Sequence, residues 1–262
     1  MQMRIAVVIP AFNEAGNIGP LIEEIAAAVP PRVLQELIVV DDASDDGTAE
    51  EVKALLPRYR ALRYLRHGGR AGQSAALRSG ILAASAPVIA TLDGDGQNDP
   101  ADILRLLPRL GPERGEPVMV AGLRGGRKAK ASRKAASRFA NWLRDKVLDD
   151  GCPDTGCGLK VYRREAYLRL PYFSGMHRYL PALFQSYGHE IAYEPVNDRP
   201  RRQGASKYTN LGRALIGLYD LVGVSWLRRR TMLPPIAEDV SGAGTDEAAE
   251  NDRAVAVGGR VS

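Results

Sequence analysis

Along the first 110 positions, short unbroken apolar runs alternate with longer stretches in which apolar residues recur at helical spacing. Arg4-Ile5-Ala6-Val7-Val8-Ile9-Pro10 is nearly all apolar and rich in β-branched residues, as a parallel strand buried on both faces requires. A polar segment, Ala11-Phe12-Asn13-Glu14-Ala15-Gly16-Asn17, leads into Ile18, Leu21, Ile22, Ile25 and Val29 on one helical face. The unit then repeats. Glu36-Leu37-Ile38-Val39-Val40 ends in Asp41-Asp42-Ala43-Ser44-Asp45-Asp46-Gly47, and a helix runs to about Leu56. Leu62-Arg63-Tyr64-Leu65-Arg66 passes through His67-Gly68-Gly69-Arg70-Ala71-Gly72-Gln73 into a helix ending near Ala84. Pro87-Val88-Ile89-Ala90-Thr91-Leu92 precedes Asp93-Gly94-Asp95-Gly96-Gln97-Asn98-Asp99-Pro100 and a helix carrying Ile103, Leu104, Leu106, Leu107 and Leu110. Four strand-loop-helix units predict an α/β fold with a mostly parallel, doubly wound sheet. Their polar loops should gather along one sheet edge, where Asn13-Glu14, Asp41-Asp42 and Asp93-Asp95 converge.

The loops carry candidate chemistry beside plainer explanations. Asp93, Asp95 and Gln97 can present several oxygens to one hard cation such as Mg²⁺ or Mn²⁺. The same turn also suits capping of the helix that Pro100 opens. Asp41 and Asp42 can accept hydrogen bonds from a ribose or a base, and lie too far upstream to cap, whereas Asp45 and Asp46 serve equally well as caps. Gly72 at a helix start suits an approaching phosphate, although the lysine of a P-loop is missing. His67 reads as a loop residue, because no partner to orient it as a base is evident.

At 262 residues and 45% hydrophobic content, the chain can bury a full core. The formal charge of +5 is unevenly spread: residues 231–262 carry a net −4 and residues 1–230 therefore about +9. Arg124, Arg127, Lys128, Lys130, Arg133, Lys134 and Arg138 fall within fifteen residues with no acid among them, which favours a phosphate-bearing partner. With only Phe139 and Trp142 near that run, a nucleic-acid stacking platform is lacking, so nucleic acid is not the expected partner. Two cysteines, Cys152 and Cys157, and three scattered histidines make neither a disulfide framework nor a zinc set. No signal peptide or long apolar run is evident, and the expected location is cytoplasmic.

Ile9-Pro10-Ala11-Phe12-Asn13-Glu14, Val40-Asp41-Asp42-Ala43-Ser44-Asp45-Asp46-Gly47-Thr48 and Leu92-Asp93-Gly94-Asp95-Gly96-Gln97 resemble, in order and spacing, the three signatures of family 2 glycosyltransferases. The resemblance runs from residue 4 to about residue 228 and implies the GT-A fold, a Rossmann-like sheet. It implies that Pro10, Ala11, Asn13, Glu14, Asp41, Asp42, Gly72 and Asp93 line a nucleotide pocket, and that Asp93, Asp95 and Gln97 hold the metal bridging the diphosphate of a nucleotide-sugar. Gly122-Leu123-Arg124 and Arg133-Lys134-Ala135-Ala136-Ser137 resemble the acceptor segments of polyprenyl-phosphate glycosyltransferases such as the dolichol-phosphate mannose synthases. By that similarity Arg124, Arg133 and Ser137 grip the lipid phosphate, and Asp95, Arg124 and Arg133 carry the catalysis. Arg201-Arg202-Gln203-Gly204-Ala205-Ser206-Lys207-Tyr208 is similar to the family's diphosphate-closing loop, with Arg201, Ser206 and Lys207 its contacts.

These likenesses imply inverting transfer from GDP-mannose or a UDP-sugar to a polyprenyl phosphate. A hydroxyl acceptor with Asp154 as its base is the rival reading, and a non-catalytic nucleotide- or RNA-binding protein a remoter one. The expected layout is one domain over residues 1–230: a nucleotide-sugar half over 1–110, an acceptor half over 111–209, and a helix over 210–230. Residues 231–262 read as a disordered tail of small and acidic residues. Between Ala214 and Leu227 the only charge is Asp220, and fourteen helical residues reach about 21 Å, short of the roughly 30 Å of a bilayer core. That helix should lie at the membrane interface, making the protein peripheral on the inner face of the cytoplasmic membrane, or else pack on the sheet. Oligomeric state is not legible.

Overall fold

The structure, a computed structural model, describes residues 3–111, 116–125, 144, 146–148, 150–200 and 210–232, with the side chains of 210–216 excepted. The chain divides into Met1–Thr231, which holds every element below, and Met232–Ser262. Most of the expected tail lies outside the described residues.

The anticipated units are present as β1 (Ile5–Ala11), α1 (Ile18–Ala28), β2 (Leu34–Asp41), α2 (Thr48–Leu55), β3 (Leu62–Arg66), α3 (Gln73–Ala83) and β4 (Val88–Thr91). The fourth helix departs from expectation. Only Ile103–Leu106 (α4) is α-helical, flanked by 3-10 turns at Pro100–Asp102 and Leu107–Arg109. Pro108 explains the break, since it has no N–H to donate and its ring crowds the preceding turn. Next come β5 (Pro117–Arg124), β6 (Lys160–Arg163), α5 (Arg164–Leu168), α6 (Leu180–Ser186), β7 (Glu190–Val196) and α7 (Asn210–Arg230).

Among the described residues, seven strands form one sheet in the order β3-β2-β1-β4-β6-β5-β7. β6 alone is antiparallel, between β4 and β5. Along β1 successive side chains face opposite ways. Ile5, Val7 and Ile9 join a core with Ile18, Leu21 and Ile25 of α1, while Ala6 and Val8 join a second core with Ala76, Leu77 and Ile81 of α3. The sheet is thus covered on both faces, as its apolar strands demand.

Gly80 sets how closely α3 approaches that sheet. A Cβ there would sit 2.5 Å from Val8 Cγ1 and 3.0 Å from Val40 Cγ2. Gly80→Ala gains about 1 kcal/mol of helix propensity but overpacks the contact by about 1–3 kcal/mol. A net loss of stability is expected in urea unfolding, and a stabilised variant would contradict this packing.

α7 packs one face on the sheet side and leaves another exposed. Leu221 (6% exposed) and Val224 (2%) sit in the α3-side core, whereas Leu218, Tyr219 (80%), Val222 and Trp226 (61%) face outward. No helix among the described residues is long and apolar enough to cross a membrane.

Candidate functional site

The first two loops are sewn together by side chains capping backbone amides. Asn13, at φ 54°, and Asp45 exchange hydrogen bonds, Asn13 Nδ2 donating to Asp45 Oδ1 and Asp45 N to Asn13 Oδ1. Asn13 N donates to Ser44 Oγ (2.9 Å), Glu14 N to Thr48 Oγ1 (2.8 Å), and Gly16 and Gly19 N to Glu51. Asp46 accepts from Thr48 N (2.9 Å), so of the two candidate caps it is Asp46 that serves the second helix. The mouth of this region carries Arg70 stacked 4.1 Å over the Phe12 ring.

Asp41 and Asp42 are both buried, and their carboxylates bond inward. Asp41 accepts from Ser44 N (2.8 Å) and the Tyr64 hydroxyl (2.6 Å). Asp42 accepts from Ala71 N (2.8 Å), Gly72 N (2.7 Å) and His67 Nδ1 (2.8 Å), and His67 Nε2 meets Ser79 Oγ at 2.9 Å. His67 therefore has an orienting partner that the sequence did not reveal, and it braces the β3–α3 loop. Burial pushes the Asp42 carboxyl up, but the Ala71 and Gly72 amides and His67 outweigh it and hold the group below the usual carboxylate range. A lowered pKa contributes stability that is present above the unfolded value of about 3.9 and is lost as pH falls through the folded value. The urea midpoint should thus hold above about pH 5 and fall below about pH 4. Asp42→Asn should be less stable at neutral pH yet show a shallower acid loss, and an unchanged slope would contradict the bracing role.

The third loop follows β4. Asp95 is buried, and its Oδ1 accepts from Gln97 N (3.1 Å). Asp93 Oδ1 accepts from Gln73 Nε2 at the start of α3 (2.8 Å). Burial raises the Asp93 pKa first and neighbouring Asp95 raises it further, while Lys160, Arg124 and Gln73 pull the other way. A Cβ on Gly158 would lie 2.4 Å from Asp93 Cγ, so only glycine leaves room for this carboxylate. A buried carboxylate, Asp95, and a half-buried one, Asp93, with a carboxamide beside them match the oxygen donors that Mg²⁺ or Mn²⁺ takes. Among the described residues no three His, Cys, Asp or Glu side chains cluster for a metal, so remaining ligand positions fall to other oxygens, such as those of a diphosphate or water. Gln97 Nε2 donates to the Arg199 carbonyl (3.3 Å) and Arg199 N to the Gln97 carbonyl (2.9 Å), tying this turn to the segment after β7.

Arg124 ends β5 and forms a two-pronged pair with Asp154, Nε to Oδ2 at 2.8 Å and Nη2 to Oδ1 at 2.7 Å. Burial pushes the Asp154 carboxyl up, but the Arg124 hydrogen bonds and charge prevail and lower it. Arg133, Ser137, Arg201, Ser206 and Lys207 lie outside the described residues. Cys152 and Cys157 are free and buried, as expected of structural residues.

Several contributors were not anticipated. Lys160 is buried on β6, its Nζ donating to the Cys157 carbonyl and its charge acting on Asp93. It pairs in register with Thr91, whose Oγ1 donates to the Gly158 carbonyl (2.8 Å). A lysine in an otherwise apolar run after Asp154-Thr155-Gly156-Cys157-Gly158 was the available signal, but only the antiparallel register places it beside Asp93. Arg199 pairs with Asp99 (2.8 Å) and Glu24 (3.0 Å).

Comparison with known proteins agrees with this geometry. The chain is 36% identical over 240 residues to dodecaprenyl-phosphate galacturonate synthase of Rhizobium johnstonii, covering 89% of this chain and 70% of the relative. It is 31% identical over 221 residues to undecaprenyl-phosphate 4-deoxy-4-formamido-L-arabinose transferase of Edwardsiella ictaluri, covering 83% and 66%. The chain thus spans roughly two thirds of these relatives' lengths. In structure it resembles glucosyl-3-phosphoglycerate synthase from Mycobacterium tuberculosis in complex with UDP, with TM-score 0.66 and 22% identity over 86% of this chain and 80% of that one. That enzyme has also been crystallised with Mn²⁺ and with Mg²⁺. At this identity the likeness speaks for the fold, which is the mostly parallel GT-A arrangement. The Glycosyl transferase family 2 model matches residues 6–170, and the chain belongs to that family.

Proposed function

We propose that the protein transfers a sugar, with inversion, from a nucleotide diphosphate sugar to the phosphate of a membrane-borne polyprenyl phosphate. The observation that carries this reading is the Arg124–Asp154 pair beside the Asp93 turn. It offers a guanidinium to an incoming phosphate and leaves Asp154 engaged and weakly basic. A hydroxyl acceptor needs a carboxylate base, whereas a phosphate monoester is already ionised at neutral pH and can attack the anomeric carbon directly. The polyprenyl-phosphate acceptors in the names of both relatives support the same choice.

Pro10, Ala11, Asn13, Glu14 and Gly72 line the nucleoside pocket, whose walls Asp41 and Asp42 hold in place through the bonds described above. Asp93, Asp95 and Gln97 would hold Mg²⁺ or Mn²⁺, which when bound neutralises charge on the departing nucleoside diphosphate. Gln73 and Gly158 fix Asp93 in position. Arg124 has five N–H donors, of which Asp154 takes two, so one guanidinium can hold its carboxylate and reach a phosphate oxygen together. Arg133 and Ser137 complete the acceptor grip, and Arg201, Ser206 and Lys207 close on the diphosphate. As an oxygen of the acceptor phosphate bonds to the anomeric carbon, the bond from that carbon to the nucleoside diphosphate breaks. Positioning and charge placement carry the rate. The galacturonate in the name of one relative favours a uronic acid over mannose as the sugar transferred.

The outward face of α7, followed by Arg228, Arg229 and Arg230, supports peripheral attachment to a membrane. Incubation with polyprenyl phosphate, Mn²⁺ and a panel of labelled UDP- and GDP-sugars tests the function. Labelled lipid from one donor is expected, and no transfer from any donor would sink the reading.

A further inference from the structure

One hollow on the α7 side of the protein shares no lining residue with the site described above. Ser225, Arg228 and Arg229 of α7 line it with Val147 and Leu148, and it is an open hollow of about 270 Å³. Two guanidinium groups, a hydroxyl and two aliphatic side chains converge there, and among the described residues no carboxylate lines it. Asp220, the acid on the same helix, sits beside Gly175, with its Oδ2 2.8 Å from where a Cβ on that glycine would lie. Next to the cavity, Leu218, Tyr219, Val222 and Trp226 form the exposed apolar face.

This lining fits an amphiphilic phosphate. Guanidinium forks bind phosphate oxygens with two parallel N–H donors, the Ser225 hydroxyl can add a third, and Val147 and Leu148 offer contact to carbon rather than to water. Trp and Tyr beside a basic cluster are the side chains that settle at headgroup depth. We propose that the cavity is a headgroup site for an anionic bilayer phospholipid, separate from the acceptor surface at Arg124, and that its occupation seats the Tyr219 and Trp226 face in the membrane. The proposal rests on the reading that the enzyme works on a membrane-borne acceptor. It also links attachment to the donor site. Gly175, against which Asp220 packs, donates its N–H to Ser74 Oγ (3.1 Å), and the adjacent Gln73 holds Asp93. A lipid held by Arg228 and Arg229 thereby anchors the helix whose earlier turns abut the elements that position the catalytic turn.

Vesicle flotation of the full chain, without nucleotide sugar or polyprenyl phosphate, reads this site apart from catalysis. Phosphatidylglycerol added to phosphatidylcholine vesicles should tighten binding, and Arg228→Gln with Arg229→Gln should remove about tenfold or more of that affinity. Arg228→Lys with Arg229→Lys keeps the charge but not the fork and should still lose severalfold. Arg230→Gln, outside the cavity lining, should cost less per arginine, and Trp226→Ser should weaken binding to both vesicle types. Equal loss per arginine at all three positions, full binding by the lysine pair, or release by millimolar inorganic phosphate would each overturn the site in favour of diffuse charge or a free-phosphate pocket. Wild-type binding that shows this pattern in a chain inactive with every donor would uphold the site and count against the proposed transfer alone.

Discussion

Replacing Asp95 with Asn is expected to lower the transfer rate about 10²–10³-fold while leaving the fold intact. Asp95 is buried close to Asp93, and its charge is one cause of the raised Asp93 pKa. The asparagine keeps the shape and can still accept the Gln97 amide, so the substitution removes a charge with little change in packing. Without a cation the variant should be at least as stable as the wild type, because two like charges no longer share a desolvated turn. Loss of activity with unchanged or higher stability, and a Mn²⁺ requirement moved to higher concentration, would mark the residue as a metal ligand. A wild-type rate would remove Asp95 from the mechanism.

Gly158→Ala should be nearly as damaging, although Gly158 bears no functional group. The added Cβ would meet Asp93 Cγ and Oδ2, both at 2.4 Å, so the carboxylate must leave its present position or β6 must shift away from β4. Either movement disturbs the Gln73–Asp93 hydrogen bond or the Thr91–Gly158 bond. A misplacement of about 1 Å at a reacting centre costs on the order of 10²-fold in rate, and overpacking adds about 1–3 kcal/mol of destabilisation. Steady-state kinetics with urea unfolding separates the two effects. Wild-type kinetics would mean that Asp93 has freedom the geometry denies.

The first half of the fold was legible because each unit carries its own signal: an all-apolar strand, a polar loop and a helical stripe. Ile5 to Ile9 and Ile18 to Ile25 illustrate it, since local periodicity dictated both elements and the sheet then had only to stack them in parallel. The convergence of Asn13, Asp41 and Asp93 followed from that parallelism, and Asp42 N to Ala11 O (2.8 Å) joins two of those loops directly. The second half was less readable. β6 runs against its neighbours, a fact set by long-range pairing, so the approach of Lys160 and Gly158 to Asp93 had no local trace. Asp42 and His67 show the other gap. His67 read as a bare loop residue, yet burial forces its ring to pair with the Asp42 carboxylate, which also accepts the Ala71 and Gly72 amides. α7 was ambiguous because an apolar helix with a single acid fits either a core or an exposed face, and the structure buries Leu221 while leaving Tyr219 exposed.

The most direct test of the central claim compares two acceptors differing only in the phosphate. With one active nucleotide-sugar and Mn²⁺, polyprenyl phosphate and the matching polyprenol are each presented in detergent, and labelled lipid is extracted. Label on polyprenyl phosphate alone, with a rate that shows no base limb assignable to a single carboxylate, is the predicted result. Label on the polyprenol, or a base limb that vanishes in Asp154→Asn, would contradict the account.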